Sequence, residues 1–128
     1  MPAEPKKSIL LIDDCPVILG VLSEQFSAEF NVDTVESGEE AVALLESSSG
    51  KNRFDLIVTD LKMPGMDGFE LARYVRERNR VEKFTPVIML TSENVSKEEA
   101  RKSGCAACFL KPERERLLSM VRILLSLY

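Results

Sequence analysis

The 128-residue chain contains no histidine and no tryptophan, and only three cysteines. Without histidine it has no histidine phosphodonor, no imidazole ligand and no imidazole base of its own. Cys15, Cys105 and Cys108 are odd in number, with no secretory signal ahead of them. That argues against a disulfide framework and leads us to expect a reduced, cytoplasmic compartment. Cys105 and Cys108 form a lone C-x-x-C, and with no second pair they are expected to be small buried thiols. No apolar stretch approaches the ~20 residues of a bilayer span, so no membrane partner is expected. The net charge of −4 lacks the basic surplus that a nucleic-acid surface requires, so nucleic acid is not expected either.

What remains is an ordinary single-domain composition, 45% hydrophobic and 30% charged. A chain of this length buries enough surface to fold without a disulfide or metal. The opening residues 1–7, polar and Pro-rich, read as a disordered tail, leaving 8–128 as the folded domain. Ile9 to Ile12, Asn31 to Val35, Phe54 to Thr59, Pro86 to Leu90 and Ala106 to Leu110 read as strands. Between them lie helical patterns. Ile18, Leu22 and Phe26 recur every four residues from Pro16 to about Phe30, and Pro16 suits a first turn. Ser37 with Glu40 and Ser96 with Glu99 have capping-box spacing, and Asp67 with Glu70 starts a further helix. Gly104 reads as a left-handed C-cap, and Glu113 to Tyr128 as the last helix. Between the second helix and third strand, 47–52 reads as a loop. Near-continuous apolar strands are those of a parallel sheet covered on both sides. The fold class is α/β: a doubly wound five-stranded parallel sheet with helices on both faces.

Ligands of such sheets sit beyond the carboxyl ends of the strands. There the chain places Asp13 and Asp14 after the first strand, Asp60 after the third, Thr91 at the fourth and Lys111 after the fifth. Any one of these residues serves packing elsewhere as a cap or turn former. Jointly, at successive strand ends, they are hard to obtain by packing. At ~4 Å and an effective dielectric near 20, each like-charged carboxylate pair costs about 4 kcal/mol before screening. A hard divalent cation relieves that cost, and Mg²⁺ suits few carboxylates with waters a phosphate can replace. The set therefore reads as a phosphoryl-transfer site, with Asp60 as nucleophile.

The pieces Ile9-Leu10-Leu11-Ile12-Asp13-Asp14, Asp60-Leu61-Lys62-Met63-Pro64-Gly65-Met66-Asp67-Gly68, Met89-Leu90-Thr91-Ser92 and Lys111-Pro112 resemble the receiver domain of two-component response regulators. The resemblance covers nearly the whole chain and implies a flavodoxin-like fold. It implies that Asp60 is the phosphoacceptor, with Mg²⁺ held by Asp14, Asp60 and the Lys62 backbone carbonyl, and by Asp13 mainly through water. It further implies that Lys111 and Thr91 contact the phosphoryl group and that the Lys111–Pro112 peptide is cis. Gly65 and Gly68 would give the turn over the metal its backbone freedom, and Asp67 would cap the next helix.

The expected function is a phosphorylation-controlled switch, loaded by a histidine kinase or histidine phosphotransfer protein and acting on a downstream protein or passing the phosphoryl group on. The chain is expected to be a stand-alone receiver rather than an enzyme, with a receiver fragment of a longer regulator as the alternative. An aspartyl phosphatase of similar fold would need an acid where Lys62 stands, and a flavin module would not tolerate Asp13-Asp14 where its phosphate loop belongs. The family's switch aromatic, three residues before the lysine, is here Cys108, and Phe109 should face the core on the opposite side of the strand. Lys62 and Glu93 are expected to flank the path of attacking water as an ion pair. On the last helix, Leu117, Leu118, Val121, Leu124, Leu125 and Tyr128 form one apolar stripe. Met120, Ile123 and Leu127 form a second, suited to homodimer contact or to burial against the preceding helix.

Overall fold

A computed structural model describes residues 6–47 and 53–126. Most of the expected tail, most of the loop 47–52, and Leu127 and Tyr128 lie outside them. The elements run β1 (Ser8–Ile12), α1 (Pro16–Ser27), β2 (Asn31–Val35), α2 (Gly38–Glu46), β3 (Leu56–Thr59), α3 (Gly68–Arg78), β4 (Val87–Thr91), α4 (Lys97–Ser103), β5 (Ala107–Leu110) and α5 (Arg114–Ser126). All strand pairs are parallel, in the order β2-β1-β3-β4-β5. From β1 the chain turns to β2 on one side and later to β3 on the other, so the crevice between β1 and β3 is the topological switch point.

Strand alternation divides the core in two. Ile9, Leu11, Leu56, Val58, Ile88 and Leu90 pack with Leu19, Leu22 and Phe26 of α1 and Leu117, Val121 and Leu125 of α5. Leu10, Ile12, Ile57 and Val87 face Ala41 and Leu45 of α2 and Leu71, Ala72 and Val75 of α3. Phe109 packs against the first cluster, on the core side as expected. Met120 also packs against that cluster, half-buried, whereas Ile123 is 58% exposed.

Helix ends follow the capping chemistry. Ser37 and Ser96 accept from Glu40 and Glu99 N–H at 3.0 Å each. Asp67 and Glu70 form the reciprocal box, and Gly104 ends α4 at φ +84°.

Three details depart from the sequence reading. The first helix stops at Ser27, because Ala28 to Phe30 turn the chain into β2, with Phe30 N–H donating to Phe26 O at 2.9 Å. Phe54 and Asp55 lie in the lead-in to β3 rather than in it. No described peptide bond is cis, so Lys111–Pro112 is trans. The chain turns there through a 3-10 segment, Lys111–Glu113, whose Glu113 carboxylate accepts from Leu110 N–H at 2.9 Å.

Candidate functional site

Asp13 and Asp60 each stand one residue beyond a strand, and the register pairs their predecessors, Ile12 with Thr59. Continuing the alternation, Asp13 follows Ile9 and Leu11, Asp60 follows Leu56 and Val58, and Lys111 follows Phe109. All three therefore lie on the side of the sheet that α1 and α5 cover. Asp60 N–H donates to Ile12 O at 2.8 Å, extending the β1–β3 ladder to the acid itself.

The acids converge. Asp13, Asp14 and Asp60 each offer a carboxylate oxygen within 4.8 Å of the others, with Asp13 and Asp60 buried and Asp14 exposed. Lys111 Nζ lies 2.9 Å from Asp13 Oδ2 and 3.3 Å from Asp60 Oδ2. The remaining oxygens of the buried pair are anchored to the backbone. Asp13 Oδ1 accepts from Cys15 N–H at 2.9 Å, and Asp60 Oδ1 from Leu61 N–H at 2.8 Å. Burial pushes the Asp60 carboxyl above its ordinary value, and the Asp13 charge adds to that, while Lys111 and the Leu61 N–H oppose it. For Lys111, burial alone would lower the value. The hydrogen bond to Asp13 and the charges of Asp60 and Asp13 outweigh it and raise the value, so the ammonium stays charged.

Three carboxylates against one ammonium leave a surplus of negative charge in a largely dry corner, which a divalent cation matches. The oxygen-only donor set, open on the Asp14 side, fits Mg²⁺ or a similar hard ion and not a thiophilic metal.

Thr91 is fully buried at the end of β4, and its Oγ1 accepts from Glu93 N–H at 3.2 Å. No described contact joins Thr91 to the acids. Lys62 is exposed, and its Nζ lies 3.8 Å from Glu93 Oε2, forming the anticipated ion pair between the loops after β3 and β4. The Lys62 main chain belongs to the loop that Gly68 N–H closes on Leu61 O at 2.9 Å. Of the loop's glycines, Gly65 needs its left-handed φ of +76°. Gly68 is required for a different reason: a Cβ there would lie 2.4 Å from Asp60 O and 2.7 Å from Met89 Sδ.

Cys105, Cys108 and Cys15 are free thiols. The Cys105 thiol donates to Ala100 O at 3.3 Å, and burial, then the neighbouring Cys105 and Glu113, pushes the Cys108 thiol up and away from reactivity. Glu39, which sequence reasoning passed over, reaches from α2 to accept from Met66 N–H in the loop after Asp60.

Comparison with known proteins identifies the family. The family model for the response regulator receiver domain matches residues 9–122. A two-component response regulator of Oryza sativa, ORR6, is 35% identical over 127 residues, covering 94% of this chain and 74% of that one. Hybrid signal transduction histidine kinase L of Dictyostelium discoideum is 36% identical over 103 residues, covering 79% of this chain and 6% of the kinase. Among solved structures, the Vibrio cholerae chemotaxis protein CheY4 superposes with a TM-score of 0.79 at 33% identity, covering 93% of this chain and 98% of that one. With the family model spanning nearly all of the described residues and the five-stranded parallel fold shared with these neighbours, the chain belongs to the receiver domains of response regulators and is a phosphorelay signalling switch.

Proposed function

We propose that residues 8–128 form a receiver that accepts a phosphoryl group on Asp60 from the phosphohistidine of a sensor kinase or phosphotransfer protein. The observation that carries this reading is the Lys111 ammonium held between Asp13 and Asp60 inside the acid cluster. Asp14, Asp60 and the Lys62 carbonyl would hold Mg²⁺, with Asp13 acting mainly through water. When bound, the ion neutralises phosphoryl oxygens and screens the three carboxylates.

The remaining work falls to the chain's own groups. An Asp60 carboxylate oxygen attacks phosphorus as the phosphorus–nitrogen bond to the donor imidazole breaks, and the imidazole leaves with its electron pair and takes up a proton. The Lys111 ammonium, already beside Asp60, follows charge onto the transferring oxygens without desolvating a new cation. The aspartyl phosphate brings close to two negative charges and three strong acceptors. Thr91 donates its hydroxyl hydrogen to one of them while its oxygen keeps the Glu93 N–H. Moving that hydroxyl therefore moves the backbone of Glu93 and, with it, the Lys62–Glu93 bridge.

With Cys108 at the position of the usual aromatic, output would run through this loop and α4 rather than through a ring rotation. The partners are the phosphodonor and a downstream protein, with a homodimer through exposed Ile123 of α5 as a further contact. We place the protein in the cytoplasm, acting by contact or onward transfer and not as an enzyme; no described helix is long and apolar enough to cross a membrane.

Incubation with acetyl phosphate and Mg²⁺, followed by intact-mass spectrometry, tests the reading. One labile phosphoryl adduct is expected on the wild type, and none on Asp60→Asn or without the metal. An unmodified wild type, or an adduct that survives in D60N, refutes it.

A further inference from the structure

The loop from Asp60 to Gly68 carries the main-chain carbonyl assigned above to the metal, so its shape matters as much as its acids. Most of its described hydrogen bonds are local. Leu61 N–H donates to the Asp60 side chain, Gly68 N–H to Leu61 O, and Asp67 N–H to Glu70 Oε1. Pro64 has no N–H to give. Among the described main-chain bonds of the loop tip, one comes from another element: Met66 N–H donates to Glu39 Oε2 at 2.9 Å, 27 residues away on the first turn of α2.

The approach at that point is close on both sides. A Cβ on Gly65 would lie 2.4 Å from the same Glu39 oxygen, and one on Gly38 would lie 2.9 Å from the Met66 side chain. Both residues at the contact are thus trimmed to glycine where the two elements touch. Gly65 holds φ +76° beside the carboxylate, and the Met66 N–H is the first main-chain donor after that turn to find a charged acceptor. A charge-assisted bond to a carboxylate is about twice as strong as a neutral one. It sets the rotation of the peptide chain that leads back, through Pro64 and Met63, to Lys62.

We propose that Glu39 is a positioning residue for the metal site: by holding Met66 N–H it keeps the loop in the conformation that presents the Lys62 carbonyl to the ion. The inference rests on the metal site of the proposed function and deepens it. Glu39 acts as a hydrogen-bond acceptor and not as a ligand or a general source of negative charge, so glutamine at 39 retains most of the function and alanine loses it. Groups that orient a ligand without touching the metal tune affinity by 10–100-fold in buried sites. The exposed setting of Glu39 places the expected effect lower, at about three- to tenfold.

The experiment measures Mg²⁺ dissociation constants by calorimetric titration and, on the metal-free protein, amide hydrogen exchange at Met66, for wild type, Glu39→Ala and Glu39→Gln. Glu39→Ala is expected to bind Mg²⁺ about three- to tenfold more weakly and to exchange the Met66 amide faster, with its metal-free urea midpoint close to wild type. Glu39→Gln keeps an acceptor but only a neutral one, and is expected to lie between wild type and E39A, nearer to wild type, on both readings. Wild-type Mg²⁺ affinity in E39A overturns the inference and leaves the proposed function standing. E39Q binding as weakly as E39A overturns it in favour of bulk charge, and a urea midpoint well below wild type in E39A reduces Glu39 to a structural role. A wild-type protein that takes up no Mg²⁺ refutes the proposed function and this inference with it.

Discussion

The Lys111 ammonium bridges Asp13 and Asp60, at 2.9 Å and 3.3 Å, so the lysine that follows β5 is the internal counter-ion of two buried acids that follow β1 and β3. One cation serving two carboxylates is the economical way to fold this corner before any metal arrives. Its loss exposes the repulsion it masks. Lys111→Met removes the charge and keeps the apolar stem. We expect the metal-free protein to lose about 1–3 kcal/mol, below the full cost of breaking a buried pair because the lysine is a fifth exposed. Urea unfolding without Mg²⁺ checks this. Saturating Mg²⁺ should recover part of the loss, while phosphorylation by acetyl phosphate slows at least tenfold.

Asp60 presents the opposite balance. Burial and the Asp13 charge both penalise its ionised form, and Lys111 only partly offsets them. Asp60→Asn keeps the shape and an acceptor for Leu61 N–H while removing the charge. The metal-free variant is therefore expected to unfold at a higher urea concentration than wild type near neutral pH. Added Mg²⁺ should stabilise the wild type by mass action and leave the variant nearly unmoved. Equal Mg²⁺ shifts in the two proteins would place the ion elsewhere.

Much of this was legible before any coordinates, because a parallel sheet puts strand ends on one rim and strand parity then sorts the residues there. Asp13, Asp60 and Lys111 share a parity and meet; Phe109 and Cys108 have opposite parities, and only the phenylalanine packs in the main core. Contacts made by loops across sequence were not legible. Nothing in Gly-Glu-Glu at 38–40 announces that Glu39 reaches Met66, since capping-box spacing assigns Glu40 and leaves Glu39 an exposed first-turn acid. The trans Lys111–Pro112 bond was missed for a similar reason. The resemblance supplied a cis expectation, whereas the local route through Glu113 and Leu110 depends on a carboxylate turning back three residues.

A pH-dependent contribution arises away from the site. Asp55 Oδ2 accepts from Ser8 N–H at 2.8 Å and its other oxygen pairs with Lys83, tying the start of β1 to the lead-in of β3 and to the segment before β4. Burial alone would raise the Asp55 value, but the Lys83 and Ser8 bonds outweigh it and hold it below the ordinary 3.8. A depressed carboxylate contributes stability that is complete above the unfolded value and lost as pH falls through the folded one. Asp55→Asn should therefore cost about 1 kcal/mol near pH 7. Urea midpoints of variant and wild type should converge as pH drops below the ordinary carboxylate range. A gap that stays constant down to acid pH would assign the effect to shape rather than charge.

The Lys62–Glu93 bridge spans 3.8 Å with side chains 70% and 53% exposed, too long and too wet to contribute more than ~0–1 kcal/mol to stability. Its position beside the site leads us to expect a kinetic effect instead. It joins the loop after Asp60 to the residue whose N–H donates to Thr91, which is where we expect it to restrict water approaching an aspartyl phosphate. Lys62→Ala opens that approach without touching an acid of the cluster. We expect an unchanged urea midpoint together with a several-fold change in the lifetime of the phosphorylated form, measured by loss of the intact-mass adduct after acetyl phosphate is removed. Glu93→Ala should move the lifetime in the same direction, and the double variant should add little, because both single changes remove one bridge. A half-life unaltered in all three would show that water reaches Asp60 by another path.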